Sequence, residues 1–308
     1  MAFCAFTLII IFAGVQNGIE RVSKIMMPIL IVLSVIIAVY SVTRPGALAG
    51  VKYFLVPNVK NFSWMTVVSA MGQMFYSLSI AMGILITFGS YMKKDTAIED
   101  STRNVEVFDT GIAIMAGLMI IPAVFAFSGG DPNTLQAGPS LMFITIPKVF
   151  QNMGFGTVIG IVFFLLVLFA AVTSSIALTE SAVSTFEDEL GWGRKKATVL
   201  VGVIMLALGS LSSLGYGPLA GIKIIGMQFL DLFDFLTNSV MMPIAALLTS
   251  LLVSRVVGID KIEDEIIHGE SAFRRKKVFV VMIKYLCPVF AIIILLSSVA
   301  NALGWIKM

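Results

Sequence analysis

An all-α, membrane-embedded fold is what this sequence predicts, on three observations. Of 308 residues, 58% are hydrophobic and 13% are charged, against about 25% charged in a soluble domain. Mean hydropathy is +0.99. The apolar residues gather in charge-free stretches at 1–19, 25–43, 61–92, 110–130, 149–179, 197–222, 235–254 and 285–306. An α-helix needs about 20 apolar residues to cross a bilayer, so about eight transmembrane helices are expected. A soluble enzyme of this composition would expose large apolar patches and aggregate. The net charge of +3, without a basic tract, gives no footing for nucleic acid. The lipid bilayer is the expected surrounding.

The first stretch offers about 14 apolar residues before Gly14, which is short for a span. It lacks the basic n-region and cleavage site of a signal peptide. The stretch 132–147 is also free of charge, but it is shorter and carries Pro132, Gly138 and Pro139. It reads as a re-entrant or surface hairpin. Basic residues alternate between the connecting loops. One set holds Arg21, Lys24, Lys93, Lys94, Arg103, Arg194, Lys195, Lys196, Arg255, Lys261, Arg274, Arg275, Lys276 and Lys277, which is 14 residues. The opposite set holds 6: Arg44, Lys52, Lys60, Lys148, Lys223 and Lys307. Positive residues favour the cytoplasmic side, so the first helix is expected to run inward and the C-terminus to lie outside. No linker or repeat divides the chain, and residues 1–308 read as one transmembrane domain.

Much chemistry is absent. Cys4 and Cys287 sit in apolar segments, and His268 is the one histidine. No Cys/His ligand cluster, phosphate-binding glycine loop or nucleophile–base pair is visible. An enzyme is not expected. The informative residues are polar ones inside apolar segments, because they are costly in hydrocarbon and usually face a bundle interior or an aqueous path. The stretch 61–92 has Gly72, Ser77, Ser79, Gly83 and Gly89 over a length greater than one untilted span. Two readings fit: a broken helix that exposes backbone to ions, or a continuous helix with a small-residue packing face. In 149–179, Ala170, Thr173 and Ser174 follow i, i+3, i+4 and share a face. Two hydroxyls and a nearby carbonyl suit an alkali cation, or else the hydroxyls bond back to the preceding turn. Asp109, Asp231 and Asp234 are carboxylates at or inside spans.

Four runs resemble motifs of the neurotransmitter:sodium symporter family. Gly72-Gln73-Met74-Phe75-Tyr76-Ser77-Leu78-Ser79 resembles its sixth helix, and Phe169-Ala170-Ala171-Val172-Thr173-Ser174-Ser175-Ile176 its eighth. Asn17-Gly18-Ile19-Glu20-Arg21 is similar to the turn between the fourth and fifth helices, and Asp231-Leu232-Phe233-Asp234 to the start of the tenth. The order and spacing look closest to bacterial eleven-helix members.

The resemblance implies the inverted-repeat fold, with substrate and sodium near the bilayer midplane. It implies a first sodium site with Ser77 and Asp109, and a second with Ala170, Thr173 and Ser174. Many relatives have asparagine where Asp109 stands; the carboxylate implies that chloride is not required. Tyr76, Ser79, Met82, Ser175 and Leu178 match substrate-binding positions, with Tyr76 as an aromatic lid. Gln73 and Asp234 match gate positions. Ala81 stands where the family often has glycine. The implied activity is sodium-coupled symport of hydrophobic amino acids by alternating access, in a bacterial inner (plasma) membrane. By the same resemblance the eight stretches are the fourth through eleventh helices, the chain is N-terminally truncated, and it is expected not to transport by itself. The competing expectation is a non-transporting fragment that packs or associates with a partner. A channel fits less well, since no ring-forming filter sequence is visible.

Overall fold

A computed structural model describes residues 1–131, 138, 141–152 and 154–302, apart from the side chains of Gln16, Asn17 and Asn61. The described residues are mostly helical. We label the helices α1 (Ala2–Phe12), α2 (Gly18–Val42), α3 (Ala47–Leu55), α4 (Trp64–Ser77), α5 (Ile84–Ser90), α6 (Ile98–Ser128), α7 (Leu141–Gln151), α8 (Gly156–Leu190), α9 (Arg194–Gly215), α10 (Phe229–Val257), α11 (Ile259–Gly269) and α12 (Lys276–Ala302).

Six of these, α2, α6, α8, α9, α10 and α12, are long and apolar enough to cross a membrane. They coincide with six of the eight predicted stretches. The other two differ. The first is a helix of 11 residues, ended by Gly14 at φ 84°, after which a π-helical turn leads into α2. The stretch 61–92 is two helices, α4 and α5, with non-helical chain between them. The hairpin expected at 132–147 lies largely outside the described residues, although its last part belongs to α7. Helix ends also run further than charge-free windows suggest. Arg21 and Lys24 are in α2 and not in a loop, with Lys24 paired to Glu20 at 2.6 Å. Asp109 is therefore well inside α6. The reason is geometric: α8 has 35 residues, about 52 Å at 1.5 Å per residue, and the hydrocarbon is only about 30 Å thick. Its charged end projects past the apolar layer.

The described residues form two compact units. One comprises Met1–Phe12, Ser63–Glu106 and Ala177–Met308, the other Ala13–Phe62 and Val107–Ile176. In the second unit, Leu30 and Ile37 of α2, Met119, Ala123 and Val124 of α6, Ile146, Val149 and Phe150 of α7, and Ile159, Phe163 and Leu166 of α8 form one buried cluster. Phe150 meets Phe163 edge-on, with ring centroids 5.4 Å apart, a preferred aromatic geometry. The Ser41 hydroxyl donates to the Met119 carbonyl at 2.7 Å, tying α2 to α6. Gly50 lets α3 lie against the Pro122 region of α6: a Cβ there would stand 2.7 Å from the Pro122 Cα and 3.0 Å from the Ile121 carbonyl oxygen.

In the first unit, α4 packs on α10 and α12 through Phe75, Met242, Ala246, Ala291 and Ile294. A buried ion pair supplies the other fixed point. Glu180 of α8 is 0% exposed. Arg194, at the start of α9, grips its carboxylate with two nitrogens, at 2.5 and 3.0 Å. The Tyr91 hydroxyl donates to the same carboxylate at 2.8 Å. The Arg194 Nε donates to the Ile11 carbonyl at 3.0 Å, satisfying an acceptor that the end of α1 leaves orphaned. Bidentate geometry plus these extra bonds is what a buried charge pair requires to offset desolvation.

Two stability predictions follow from this packing. Glu180→Ala leaves a partly buried guanidinium without its counter-charge and is expected to cost about 3–5 kcal/mol. Glu187→Ala removes only the outer, 3.3 Å partner of Arg194 and is expected to cost less than about 1 kcal/mol. Thermal melting in detergent should separate the two, and equal shifts would contradict the assignment. Gly50→Ala puts a methyl against backbone that cannot rotate away. It is expected to destabilise by about 1–3 kcal/mol, read as a lower melting temperature.

Candidate functional site

The break in the α4–α5 segment begins with how α4 ends. Ser63 and Thr66 form a capping box at its start, each side chain bonding the other's backbone N–H at 3.3 Å. At its end, the Ser79 N–H donates to the Tyr76 carbonyl at 3.1 Å and the Ile80 N–H to the Phe75 carbonyl at 3.0 Å. These are the paired bonds of a Schellman stop, which needs a left-handed residue at Ser79's position. Ser79 has φ 55°. The hydrophobic contact that accompanies such a stop is present too, since Ile80 packs against the Phe75 cluster. Ala81 follows at φ 63° and Gly83 at φ 80°. Only Gly83 has the residue type for that backbone, and it has a second reason to be glycine: a Cβ would stand 2.6 Å from the Ser181 Oγ. Helix α5 then starts at Ile84 and is held by Thr87, whose hydroxyl lies 3.4 and 3.2 Å from those of Ser181 and Ser184 on α8.

Within the first unit, the interrupted segment sits on a firm base. Ala81 and Met82 pack against the cluster of Phe75, Met242 and Ala291. Tyr76 is 51% exposed, as are, less quantitatively, Gln73 and Ser77, while Ser79 is half-buried. Leu178 on α8 is exposed. Asp234 is exposed near the start of α10, where its Oδ1 accepts from the Asn238 side-chain amide at 2.6 Å; a π-helical turn, Phe235–Met241, begins immediately after it.

In the second unit, Ala170, Thr173 and Ser174 occupy one face of α8. Ala170 is half-buried against the core cluster, Thr173 is half-buried and Ser174 exposed. The Thr173 hydroxyl donates to the Phe169 carbonyl at 3.1 Å and to the Ala170 carbonyl at 3.0 Å. The bond back to the preceding turn is therefore real. It does not compete with cation binding. A hydroxyl has one hydrogen and two lone pairs, and sending the hydrogen into the helix turns the lone pairs outward. Ser175 and Asp109 are half-buried in the same unit. Among the described residues, no group of three or more His, Cys, Asp or Glu could hold a metal. The oxygen donors here are hydroxyls, carbonyls and single carboxylates, a set suited to an alkali ion and not to a transition metal.

One feature carried no sequence signal. Arg194 counts in the sequence only as one of the basic loop residues, and nothing in its spacing or that of Tyr91 points to Glu180. Only the fold brings the three together.

A family profile described as "Sodium:neurotransmitter symporter family" matches residues 1–305. An uncharacterized sodium-dependent transporter of Bacillus subtilis is 34% identical over 300 residues, covering 97% of this chain and 66% of that protein. An uncharacterized sodium-dependent transporter of Haemophilus influenzae is 31% identical over 300 residues, covering 97% and 64%. The crystal structure of MhsT in complex with L-phenylalanine superposes with a TM-score of 0.83 at 34% identity, covering 96% of this chain and 66% of that one. The chain thus spans about two thirds or less of the length of these relatives. They are transporters and not enzymes, and the six long apolar helices mark a multi-pass membrane protein. The chain belongs to the sodium:neurotransmitter symporter family.

Proposed function

We propose that this protein carries out sodium-coupled symport of amino acids with apolar side chains, by alternating access, in a bacterial plasma membrane. The observation that carries the reading is the interruption between α4 and α5. Three left-handed residues in six hold open a stretch of backbone inside an apolar segment. Irregular backbone at membrane depth is tolerated where it lines a cavity or site. The resemblance to MhsT, whose crystal structure contains L-phenylalanine, supports an apolar amino acid as cargo.

Residue roles follow. Ser77 and Asp109 contribute to a first sodium site, and Ala170, Thr173 and Ser174 to a second. Tyr76, Ser79, Met82, Ser175 and Leu178 line the substrate pocket, with Tyr76 as its lid. Gln73 and Asp234 act at the outer gate. The Asp109 carboxylate supplies negative charge beside the first sodium, so chloride is dispensable. Met82 is unbranched and polarizable, which adapts it to several apolar side chains. Sodium drives the cycle only if it binds one state more tightly than the other, since equal affinities shift nothing.

The test is uptake of labelled amino acids by proteoliposomes with and without an inward sodium gradient. Accumulation that is indifferent to the gradient would refute coupling, and non-saturating conductance would favour a channel. Thr173→Ala with Ser174→Ala is expected to abolish sodium stimulation, and Thr173→Ser alone to preserve it. Normal stimulation in the double variant would remove both from the site. Ala81→Gly takes away one methyl beside the pocket, a change worth about 1–3 kcal/mol of discrimination. It is expected to improve inhibition by tryptophan relative to leucine; an unchanged ratio would sink that role.

A further inference from the structure

Two cations on the surface of the first unit have no counter-charge from the protein. Arg255 lies in the last turn of α10, and Lys284 lies inside α12. The chain around Lys284 carries no other charge from Val278 to Ala302. Both residues are exposed. Among the described residues, neither side chain takes part in an ion pair or a hydrogen bond. Helices α10 and α12 pack along each other, and the turn Leu252–Val257 meets Met282–Leu286. The two cations therefore stand at a similar level on neighbouring helices of one unit. By the distribution of basic residues, that level is on the cytoplasmic side.

The surroundings are apolar. Lys284 is eight residues past Lys276, about 12 Å along the helix. A lysine at that depth is costly unless its ammonium reaches up to the headgroups. Val281, Tyr285 and Val289 are exposed on the same face of α12, and Lys284 stands in that stripe at i+3 from Val281. Beside Arg255 runs an open groove of about 680 Å³. Leu248, Leu252 and Val256 line it and are exposed. A soluble anion would match the cations and waste the groove. A neutral lipid would fill the groove and leave two charges unpaired. A molecule with a negative head and an apolar tail satisfies both.

We propose that Arg255 and Lys284 bind the phosphate of an anionic phospholipid from the cytoplasmic leaflet, with an acyl chain lying along Leu248, Leu252 and Val256. The guanidinium offers a planar fork that matches two phosphate oxygens, and the ammonium adds a mobile point charge. Basic sites between membrane helices on this side suit such headgroups. No residue assigned to sodium or to substrate takes part, so the proposal stands or falls apart from the sodium-coupled reading.

The test titrates the detergent-solubilised protein with phosphatidylglycerol and, separately, with phosphatidylcholine, and counts bound lipid by native mass spectrometry. The unaltered protein is expected to prefer phosphatidylglycerol. Arg255→Gln and Lys284→Gln should each weaken it about fivefold, which is the roughly 1 kcal/mol of one cation near a headgroup, and leave phosphatidylcholine unchanged. Lys261→Gln removes a cation from the same side of the membrane, away from the groove, and should change neither. Leu252→Gln keeps both cations and should still weaken phosphatidylglycerol. Glycerol phosphate, the head without its chains, should not displace the lipid at equal concentration. All four positions are exposed, so the variants are expected to fold, and phosphatidylcholine binding checks each one. No preference for phosphatidylglycerol, an equal loss in Lys261→Gln, or displacement by glycerol phosphate would each overturn the proposal: the first removes the site, the second reduces it to the general charge of this face, and the third makes it a site for soluble phosphate.

Discussion

Everything in the first unit depends on how a bilayer-embedded chain can stop being a helix. In hydrocarbon an unpaired backbone group costs several kcal/mol, so a helix there ends only where its last carbonyls find donors. Helix α4 ends with a Schellman stop, and the donors come from the chain itself, at Ser79 and Ile80. Two of the last carbonyls are thereby satisfied without water, and the chain leaves at an angle fixed by the left-handed residue. What remains is backbone whose direction is set and whose surface is supported by Phe75, Met242 and Ala291. A site built there is held by packing beneath it and not by the loop's own hydrogen bonds.

The same constraint explains why polar groups around α5 are placed as they are. Once α5 is cut off from α4, seven residues must be held in place from outside. A helix that short is marginal by itself. Thr87 and Tyr91 reach across to α8, and α8 answers with Ser181, Ser184 and Glu180. Glu180 in turn is tolerable only because Arg194 meets it with both nitrogens. The chain of requirements runs from a broken backbone, to a short orphan helix, to a buried carboxylate, to an arginine at the start of α9 whose remaining nitrogen closes off α1. Each link exists to satisfy the one before it.

Composition and charge-free length were enough to read the membrane class and six long helices, because both follow from the cost of charge in hydrocarbon. Helix ends were not legible by that measure: Asp109 and Lys24 are helical although charged, since a helix may project beyond the apolar layer. The break at 78–83 was half legible. Gly83 signalled it, but Ser79 and Ala81 did not, because their left-handed backbone is imposed by the stop and by packing, not by residue preference. The i, i+3, i+4 set of Ala170, Thr173 and Ser174 was readable from helical periodicity. The Glu180–Arg194–Tyr91 cluster was not, since it joins residues across loops whose closure only the fold decides.

Two ways of handling charge coexist in this chain, and the difference is one of environment. Between unit charges about 4 Å apart, attraction is roughly 1 kcal/mol in water and about 4 kcal/mol at the effective dielectric of a protein surface region. A cation that must bind and leave cannot be met by full charges on every side at low dielectric, because the well would be too deep to escape. In the proposed second sodium site, the hydroxyl and carbonyl dipoles of Ala170, Thr173 and Ser174 would give a shallower well that still replaces lost hydration. In the proposed first site, the single carboxylate of Asp109 would deepen the well without closing it. The permanent contact is built the opposite way, with Glu180 fully buried and matched by a guanidinium.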